Sequence, residues 1–171
     1  MELTKKERTI KYVVYAVIIA VLSLLQNVGG LWFEIGGARC FFLIPAAVLL
    51  SLDEDEKTAA LIGLFAGLLW DITAAHHMGF NCLFIMVSCY IMSVLVTHLF
   101  RATFWVGTVG AVLFTFLYVL IYWLIFVLIK GGDGSGVAFF NFYLPSFFYT
   151  AVMTVVMNIA FVPLKRKLNK V

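Results

Sequence analysis

Four long uncharged segments constrain this chain more than any other feature of its sequence. They cover residues 12–33, 72–100, 102–129 and 134–164, with 22, 29, 28 and 31 residues. A helix needs about 20 apolar residues to cross a bilayer. Two further runs, 40–52 and 58–70, have 13 residues each. The chain is therefore predicted to be an integral membrane protein with four clear membrane segments and two short ones.

The apolar runs are continuous, which decides their secondary structure. Strands of a membrane β-barrel alternate apolar and polar residues, whereas a continuous apolar segment satisfies its backbone in lipid only as a helix. Overall, 64% of the residues are hydrophobic and 12% are charged. We therefore expect an all-α polytopic membrane protein, with residues 1–171 forming a single membrane domain.

The positions of the 12 Lys and Arg residues predict the number of crossings, because cytoplasmic loops carry an excess of both. With six crossings and a cytoplasmic N-terminus, ten basic residues lie inside, and Arg39 and Lys130 lie outside. If 40–52 does not cross, five lie inside and seven outside. The expected fold is a compact bundle of six transmembrane helices with both termini cytoplasmic.

The expected helices cover residues 12–31, 39–53, 57–74, 80–98, 103–129 and 138–163. The second helix contains Pro45, which lacks a backbone donor and favours a kink or a broken turn. Four consecutive acids at 53–56 fit the N-terminus of the third helix, with Ser51 or Asp53 as its cap. A docking contact for a basic patch on a cytoplasmic partner is the alternative for these acids.

The third predicted helix carries a ridge of small residues that ends in an acid. The ridge residues recur every four positions and are Ala59, Gly63, Gly67 and Asp71. On a helix they share one face, where another backbone can approach closely. A carboxylate in hydrocarbon costs about 2.5 kcal/mol or more. We therefore expect Asp71 to face a partner inside the bundle, through hydrogen bonds rather than through an ion pair with Arg39.

Two further groups of residues are candidate sites at the outer side of the predicted bundle. The first is an outer polar pocket formed by Gln26, Asn27, Arg39 and Asn81. The second is an aromatic collar before the sixth helix, where seven of the eleven residues in 139–149 are aromatic. Aromatic belts anchor proteins at membrane interfaces, so anchoring is one interpretation. The other is a docking surface for a partner's membrane segment, formed by Phe139, Phe140, Phe142 and Tyr143.

The sequence gives little support for catalysis or for a bound metal. The three cysteines form no CxxC pair and resemble small apolar core residues. His76 and His77 with Asp71 would supply three metal ligands, but neighbouring loop histidines diverge and no fourth ligand is apparent. No nucleophile has a base at a recognisable spacing. We therefore expect a protein that is not an enzyme and that uses no cofactor.

The segment GLFAGLLWDITAAHHMGFNCL, residues 63–83, resembles the signature of the MreD family, small membrane proteins of the bacterial rod-shape (elongasome) machinery. That signature is approximately G-x-x-x-G-L-x-x-D, followed by a turn and a further glycine. The matching positions are Gly63, Gly67, Leu68, Asp71 and Gly79. Length, basic ends and hydrophobicity fit the family along nearly the whole chain. The second helix departs from the family pattern, in which a basic residue is often followed by proline.

The resemblance implies a non-enzymatic partner protein in a bacterial cytoplasmic membrane. MreD-like proteins act with MreC, a single-span extracytoplasmic protein, alongside the actin-like MreB and the glycan polymerase and transpeptidase of peptidoglycan elongation. The helix-packing or partner-binding residues are then Ala59, Gly63, Gly67, Asp71 and Gly79. Membrane lipids are further contacts, a homo-oligomer is kept open, and no nucleic acid is expected.

A second resemblance, of a different class, is to the substrate-binding membrane component of energy-coupling-factor vitamin transporters. These are also compact six-helix proteins with a glycine-rich, acid-containing third segment. Ala16 and Ala20 resemble the docking motif that such proteins use toward their transport partner. A ligand pocket needs several convergent polar groups, and the sequence offers few. The shape machinery is therefore preferred, and the transporter component is the alternative.

Overall fold

The computed structural model of the protein describes residues 5–28, 38–74, 79–129 and 135–168. Of these residues, 88% are helical and none forms a β-strand. The prediction of an all-α fold is confirmed for this part of the chain. The apolar side chains of the described helices pack into one hydrophobic core.

The helices are numbered here in chain order. They are α1 (Lys5–Asn27), α2 (Leu43–Ser51), α3 (Glu56–Ala74), α4 (Phe80–His98), α5 (Phe104–Tyr122), α6 (Ser135–Ala138) and α7 (Leu144–Leu168). A π-helical segment, Trp123–Leu128, continues α5, and a second one, Phe139–Tyr143, joins α6 to α7. Single π-helical turns often occur at functional sites.

The third and fourth predicted helices agree with α3 and α4 to within one residue. α1 begins earlier than predicted, at Lys5, and α7 continues to Leu168. Both extensions consist of the basic ends of the chain, whose lysines and arginines are good helix formers. The predicted bounds of the first and sixth helices, 12–31 and 138–163, left these ends outside the helices, and those bounds are wrong for the described residues.

The second helix is shorter than predicted, because residues 39–42 are not helical and α2 begins at Leu43. Non-helical backbone at membrane depth is tolerated only where the protein itself satisfies it. Here, side chains of α1 and α7 accept hydrogen bonds from the backbone N–H groups of Arg39, Phe41 and Leu43. Pro45 is the third residue of α2, so its missing N–H falls in the first turn, where it has no intrahelical partner. Pro45 therefore begins the helix instead of kinking it.

α2 forms the centre of the bundle. All nine of its residues are buried, and it packs against α1, α3, α4, α5 and α7. A helix that is apolar on every side is stable only when other elements surround it. Its neighbours therefore explain how so short a helix fits into a bundle of much longer ones.

The long helices have apolar outer faces, and their inner faces carry polar residues among the apolar core residues. On α1, Val13, Val17 and Val21 are exposed and recur every four residues. On α7, Val152 and Val156 are exposed, whereas Thr154 between them is buried. An apolar exterior around a partly polar interior suits a protein whose solvent is lipid.

Four helices among the described residues are long and apolar enough to cross a membrane. They are Lys5–Asn27, Phe80–His98, Phe104–Leu128 and Gly136–Leu168. α2, with nine residues, is too short to do so alone, and α3 is not among the four. Length and composition therefore support transmembrane helices.

Candidate functional site

The small-residue ridge of α3 packs directly against the backbone of α4. A Cβ atom built on Gly63 would lie 2.6 Å from the carbonyl oxygen of Ile85, and one built on Gly67 would lie 2.7 Å from that of Asn81. Ala59, one turn earlier, is fully buried. Side chains at the two glycines would push the helices apart. The ridge residues therefore let α3 and α4 come closer than ordinary side chains allow.

Asp71 caps the N-terminus of α4 from the neighbouring helix. Its Oδ2 accepts hydrogen bonds from the backbone N–H groups of Gly79 (2.9 Å) and Cys82 (3.0 Å). These are donors of a first helical turn, which have no partner within the helix and favour a negative charge. Gly79 has φ +95°, a left-handed conformation that glycine adopts without strain. The partner of Asp71 is thus a helix end and its turn.

Asp71 itself is only 3% exposed, and its Oδ1 has no hydrogen-bond partner among the described residues. Ion pairing with Arg39 was the alternative to hydrogen bonding. The two backbone donors already provide the charge-assisted bonds that a buried carboxylate needs. The geometry therefore assigns Asp71 a structural role at the α3–α4 junction.

A cavity of about 370 Å³ lies at the end of the bundle where α1 ends. We call this the cavity end. All four residues of the predicted outer pocket line it, namely Gln26, Asn27, Arg39 and Asn81. They come from α1, the 39–42 segment and α4, so only the tertiary fold brings them together. The structure thus brings together four residues that the sequence analysis grouped only because all were predicted to lie at the outer side of the bundle.

Aromatic rings form much of the cavity wall, and the sequence analysis missed the central ones. The rings of Trp70 and Tyr118 lie 5.1 Å apart, and Phe41 contacts both at 5.9 and 5.8 Å. The Tyr118 hydroxyl donates to Asn81 Oδ1 at 2.7 Å. In a mostly apolar helix, an aromatic residue does not reveal which direction it faces, so the sequence pattern alone gave no indication of this wall.

The predicted aromatic collar divides into two parts. Phe142 and Tyr143 line the cavity. Phe139 instead packs on Trp123, with ring centroids 5.0 Å apart, and Phe140 is 67% exposed. Two of the four proposed docking residues therefore belong to the cavity, and Phe140 is the one most open to the surroundings.

A polar stripe on α7, also missed from the sequence, supports the backbone before α2. Its residues recur every four positions and are buried: Ser146, Thr150, Thr154 and Asn158. Ser146 Oγ accepts from the backbone N–H of Arg39, and Thr150 Oγ1 accepts from that of Phe41, both at 3.0 Å. From α1, Gln26 Oε1 accepts from the backbone N–H of Leu43 at 3.0 Å. The four-residue spacing of small polar residues was the available signal.

At the opposite end of the bundle, the acidic turn 53–56 contacts three other helices. We call this the acidic end. Asp53 pairs with Lys165 of α7 at 2.6 Å, Glu54 with Lys11 of α1 at 2.5 Å, and Glu56 contacts His98 of α4 at 3.3 Å. The side chains of Lys11 and Glu54 are 6% and 4% exposed. Three of the four acids thus join helices within the chain.

Asp55 is the cap of α3, whereas Ser51 or Asp53 was predicted. Its carboxylate accepts from the hydroxyl of Thr58 at 2.7 Å and from the backbone N–H of Thr58 at 3.3 Å. These hydrogen bonds hold the pKa of the Asp55 carboxyl below its ordinary value. The prediction was wrong because Asp53 is engaged by Lys165 and the Ser51 hydroxyl donates to the carbonyl of Val48.

The described residues contain no cluster of His, Cys, Asp and Glu suited to a metal ion. Cys40 and Cys89 are buried, and none of the three cysteines is in a disulfide. His76 and His77 lie outside the described residues. The expectations of no cofactor and no enzymatic activity stay predictions.

Comparisons of the chain with models of protein families, with curated proteins and with solved structures find no match. The fold and the cavity themselves indicate the class of protein. The described part of the chain is 88% helical with no strand, has four helices long and apolar enough to cross a membrane, and has a partly open cavity at one end.

Proposed function

We propose that this protein is a non-enzymatic membrane component of the machinery for cell shape and peptidoglycan elongation, similar to MreD proteins. In this role it binds an MreC-like protein and helps couple MreB to the wall synthases. The supporting observation is that the segment resembling the MreD signature acts as one structural unit. Gly63, Gly67, Asp71 and Gly79 all belong to the same α3–α4 junction. A closely packed helix pair of this kind offers a partner a defined surface.

We further propose six crossings of a bacterial cytoplasmic membrane, with both termini cytoplasmic. Lys11 near the start of α1 and Lys165 near the end of α7 contact the same acidic turn. The first and last helices therefore have their chain-terminal ends on one side, as an even number of crossings requires. In this arrangement α3 crosses the membrane, and so does the segment formed by residues 39–42 and α2. Neighbouring helices shelter both from the lipid.

Reporter fusions test this topology. A reporter fused after Val171 is expected to be cytoplasmic, and one inserted at Asp133 is expected to be external, because ten of the twelve basic residues then lie inside. An external C-terminus would refute six crossings with a cytoplasmic N-terminus.

Co-expression with the MreC-like protein of the same genome tests the partner. Affinity isolation in mild detergent is expected to recover both proteins in a stable complex. The matched control is the same MreC-like protein with its membrane span replaced by an unrelated apolar helix. Absence of a complex with the native span, while both proteins are folded, would reject the proposal.

A second candidate function, the substrate-binding component of a vitamin transporter, is favoured by one observation. The predicted polar residues Gln26, Arg39 and Asn81 converge on a single cavity, as a small-molecule site requires. Under this function a free solute should remain bound during purification. Mass spectrometry of small molecules released from the denatured protein tests it, and recovery of no stoichiometric solute would count against it.

A further inference from the structure

We propose that another cavity, at the acidic end of the bundle, binds a phosphate group that belongs either to an anionic membrane lipid or to free phosphate. We call it the acidic-end cavity. Its lining residues come from the end of α2 and the turn after it, the start of α5 and the last turns of α7. Its volume, about 450 Å³, falls in the range of about 300–1,000 Å³ found for small-ligand sites. The proposal requires neither an MreC-like partner nor transport, so it stands or falls separately from the functions proposed above.

The charges on the cavity wall favour an anion. Two cations and one acid line the cavity, namely Lys165, Arg166 and Asp53. Lys165 and Asp53 balance each other in an ion pair of 2.6 Å. Arg166 forms no hydrogen bond or ion pair within the described part of the chain. The cavity therefore carries one positive charge in excess, on a guanidinium group that binds phosphate through paired hydrogen bonds.

The start of α5 brings further donors to the same cavity. Phe104, the first residue of α5, lines it, and the cap residue Thr103 makes no side-chain hydrogen bond to the first turn. The Thr103 hydroxyl donates instead to the carbonyl of Arg101 at 3.2 Å. Backbone N–H groups of an uncapped first turn favour an anion. The helix start alone does not define a site, but here the guanidinium of another helix lies on the same cavity.

The face of α7 that carries Arg166 favours a lipid as the source of the phosphate. Val155, Ile159 and Val162 precede Arg166 at spacings of four, three and four residues, so all four share one helix face. Val155 and Ile159 are 39% and 61% exposed. A phospholipid whose phosphate contacts Arg166 can therefore lay an acyl chain along this apolar stripe. Free phosphate would use only the charged end.

A cation is the competing ligand, because Asp53 also lines the cavity. The Asp53 carboxylate is already bound to Lys165, and Lys165 is held in place by a further hydrogen bond to the carbonyl of Leu49 at 2.8 Å. A cationic ligand would have to displace Lys165 and approach Arg166. Repulsion between like charges therefore disfavours it.

Native mass spectrometry of the full chain in detergent, with equal amounts of phosphatidylglycerol and phosphatidylcholine, tests the proposal. Both lipids carry a phosphate, but only phosphatidylglycerol has a net negative charge. Arg166→Gln is expected to lower the ratio of bound phosphatidylglycerol to bound phosphatidylcholine about fivefold, the effect of one basic side chain beside an anionic headgroup. Lys167→Gln is the matched control. It removes the same charge from a neighbouring residue that does not line the cavity, so the ratio should stay unchanged.

Two further arms locate the site and identify the source of the phosphate. Ala102→Trp places a large ring in the cavity without changing a charge, and it should lower the same ratio. Equilibrium dialysis of inorganic phosphate uses the protein in nanodiscs of phosphatidylcholine. Binding of inorganic phosphate that Arg166→Gln abolishes identifies free phosphate as a ligand. Selective retention of phosphatidylglycerol without binding of inorganic phosphate identifies a lipid.

Equal effects of Arg166→Gln and Lys167→Gln would overturn the proposal, because the lipid would then respond to the charge of the basic end as a whole. An unchanged ratio in Ala102→Trp would also overturn it. So would a parent protein that neither selects phosphatidylglycerol nor binds inorganic phosphate. Thermal unfolding of each variant in the same detergent confirms that the comparison is between folded proteins.

Discussion

At the scale of single residues, Asp71 shows how a buried carboxylate is accommodated by backbone donors, with no cation bound to it among the described residues. One carboxylate oxygen accepts two backbone N–H groups that the first turn of α4 leaves without helical partners. Hydrogen bonds to a charged group contribute about 1.5–3 kcal/mol each. The acid that the sequence marks as anomalous in an apolar segment is therefore a component of the helix junction.

Substitution of Asp71 by Asn and by Leu should have different effects. Asp71→Asn keeps an acceptor for Gly79 and Cys82, so a loss of about 1 kcal/mol of unfolding free energy is expected. Asp71→Leu removes the acceptor of both donors, of which Gly79 is exposed and Cys82 half-buried, so a larger loss of about 1.5–3 kcal/mol is expected. Thermal unfolding of the purified variants measures both. A Leu variant as stable as the parent would show that these hydrogen bonds do not hold α4.

At the scale of elements, the contact between α3 and α4 depends on two missing side chains. Gly67→Ala should cost about 1–3 kcal/mol, because the new Cβ meets the α4 backbone, which cannot move aside like a side chain. Gly136→Ala is the matched control, since a Cβ there meets no atom within 4 Å. Denaturant unfolding of the two variants compares them. Equal stability would mean that α3 and α4 separate without cost.

The polar stripe of α7 offers a test with a control on the same helix. Thr150 and Thr154 are both fully buried and both donate to the carbonyl four residues earlier. Only Thr150 also accepts from the backbone N–H of Phe41. Thr150→Val should therefore cost about 1–2 kcal/mol more than Thr154→Val, because it leaves the partly buried N–H of Phe41 without its acceptor. Similar losses of unfolding free energy in the two variants would mean that other contacts hold the backbone before α2.

The same elements show what the sequence alone reveals. α3 and α4 were predicted well because their apolar runs, their terminal glycine and their acids are local signals. The start of α2 was predicted wrongly, because the side chains that accept from the backbone N–H groups of Arg39 and Phe41 lie more than one hundred positions away, on α7. The sequence analysis proposed the polar residues that line the cavity. It did not propose Trp70 and Tyr118, since ring orientation in an apolar helix has no sequence signature.

At the scale of the whole molecule, the acidic turn joins the two ends of the chain. Lys11 near the start and Lys165 near the end both bind within 53–54. Lys165 also donates to the carbonyl of Leu49 at 2.8 Å, at the end of α2. The turn before α3 thus links the first helix, the last helix and the central one. The basic residues that the sequence analysis used to predict topology therefore also hold the first and last helices together.

The two ion pairs of this turn should differ in strength because they differ in burial. Lys11 and Glu54 are almost fully buried, whereas the side chain of Asp53 is 32% exposed. Removing one partner of a buried pair strands the other charge and costs about 3–5 kcal/mol. Exposed pairs contribute about 1 kcal/mol or less. A double-mutant cycle separates the pair energy from the effect of each single change.

We therefore expect Lys11→Met and Glu54→Gln each to lower the unfolding free energy by about 3 kcal/mol or more, with the double variant losing much less than the sum. The hydroxyl of Tyr12, which donates to Glu54 Oε2 at 3.3 Å, keeps its acceptor in Glu54→Gln. The matched cycle of Lys165→Met with Asp53→Asn should show coupling of about 1 kcal/mol or less. Equilibrium unfolding in detergent measures both cycles. Additive losses for Lys11 and Glu54 would mean that each charge is solvated separately, and the acidic turn would then not hold the first helix to the bundle.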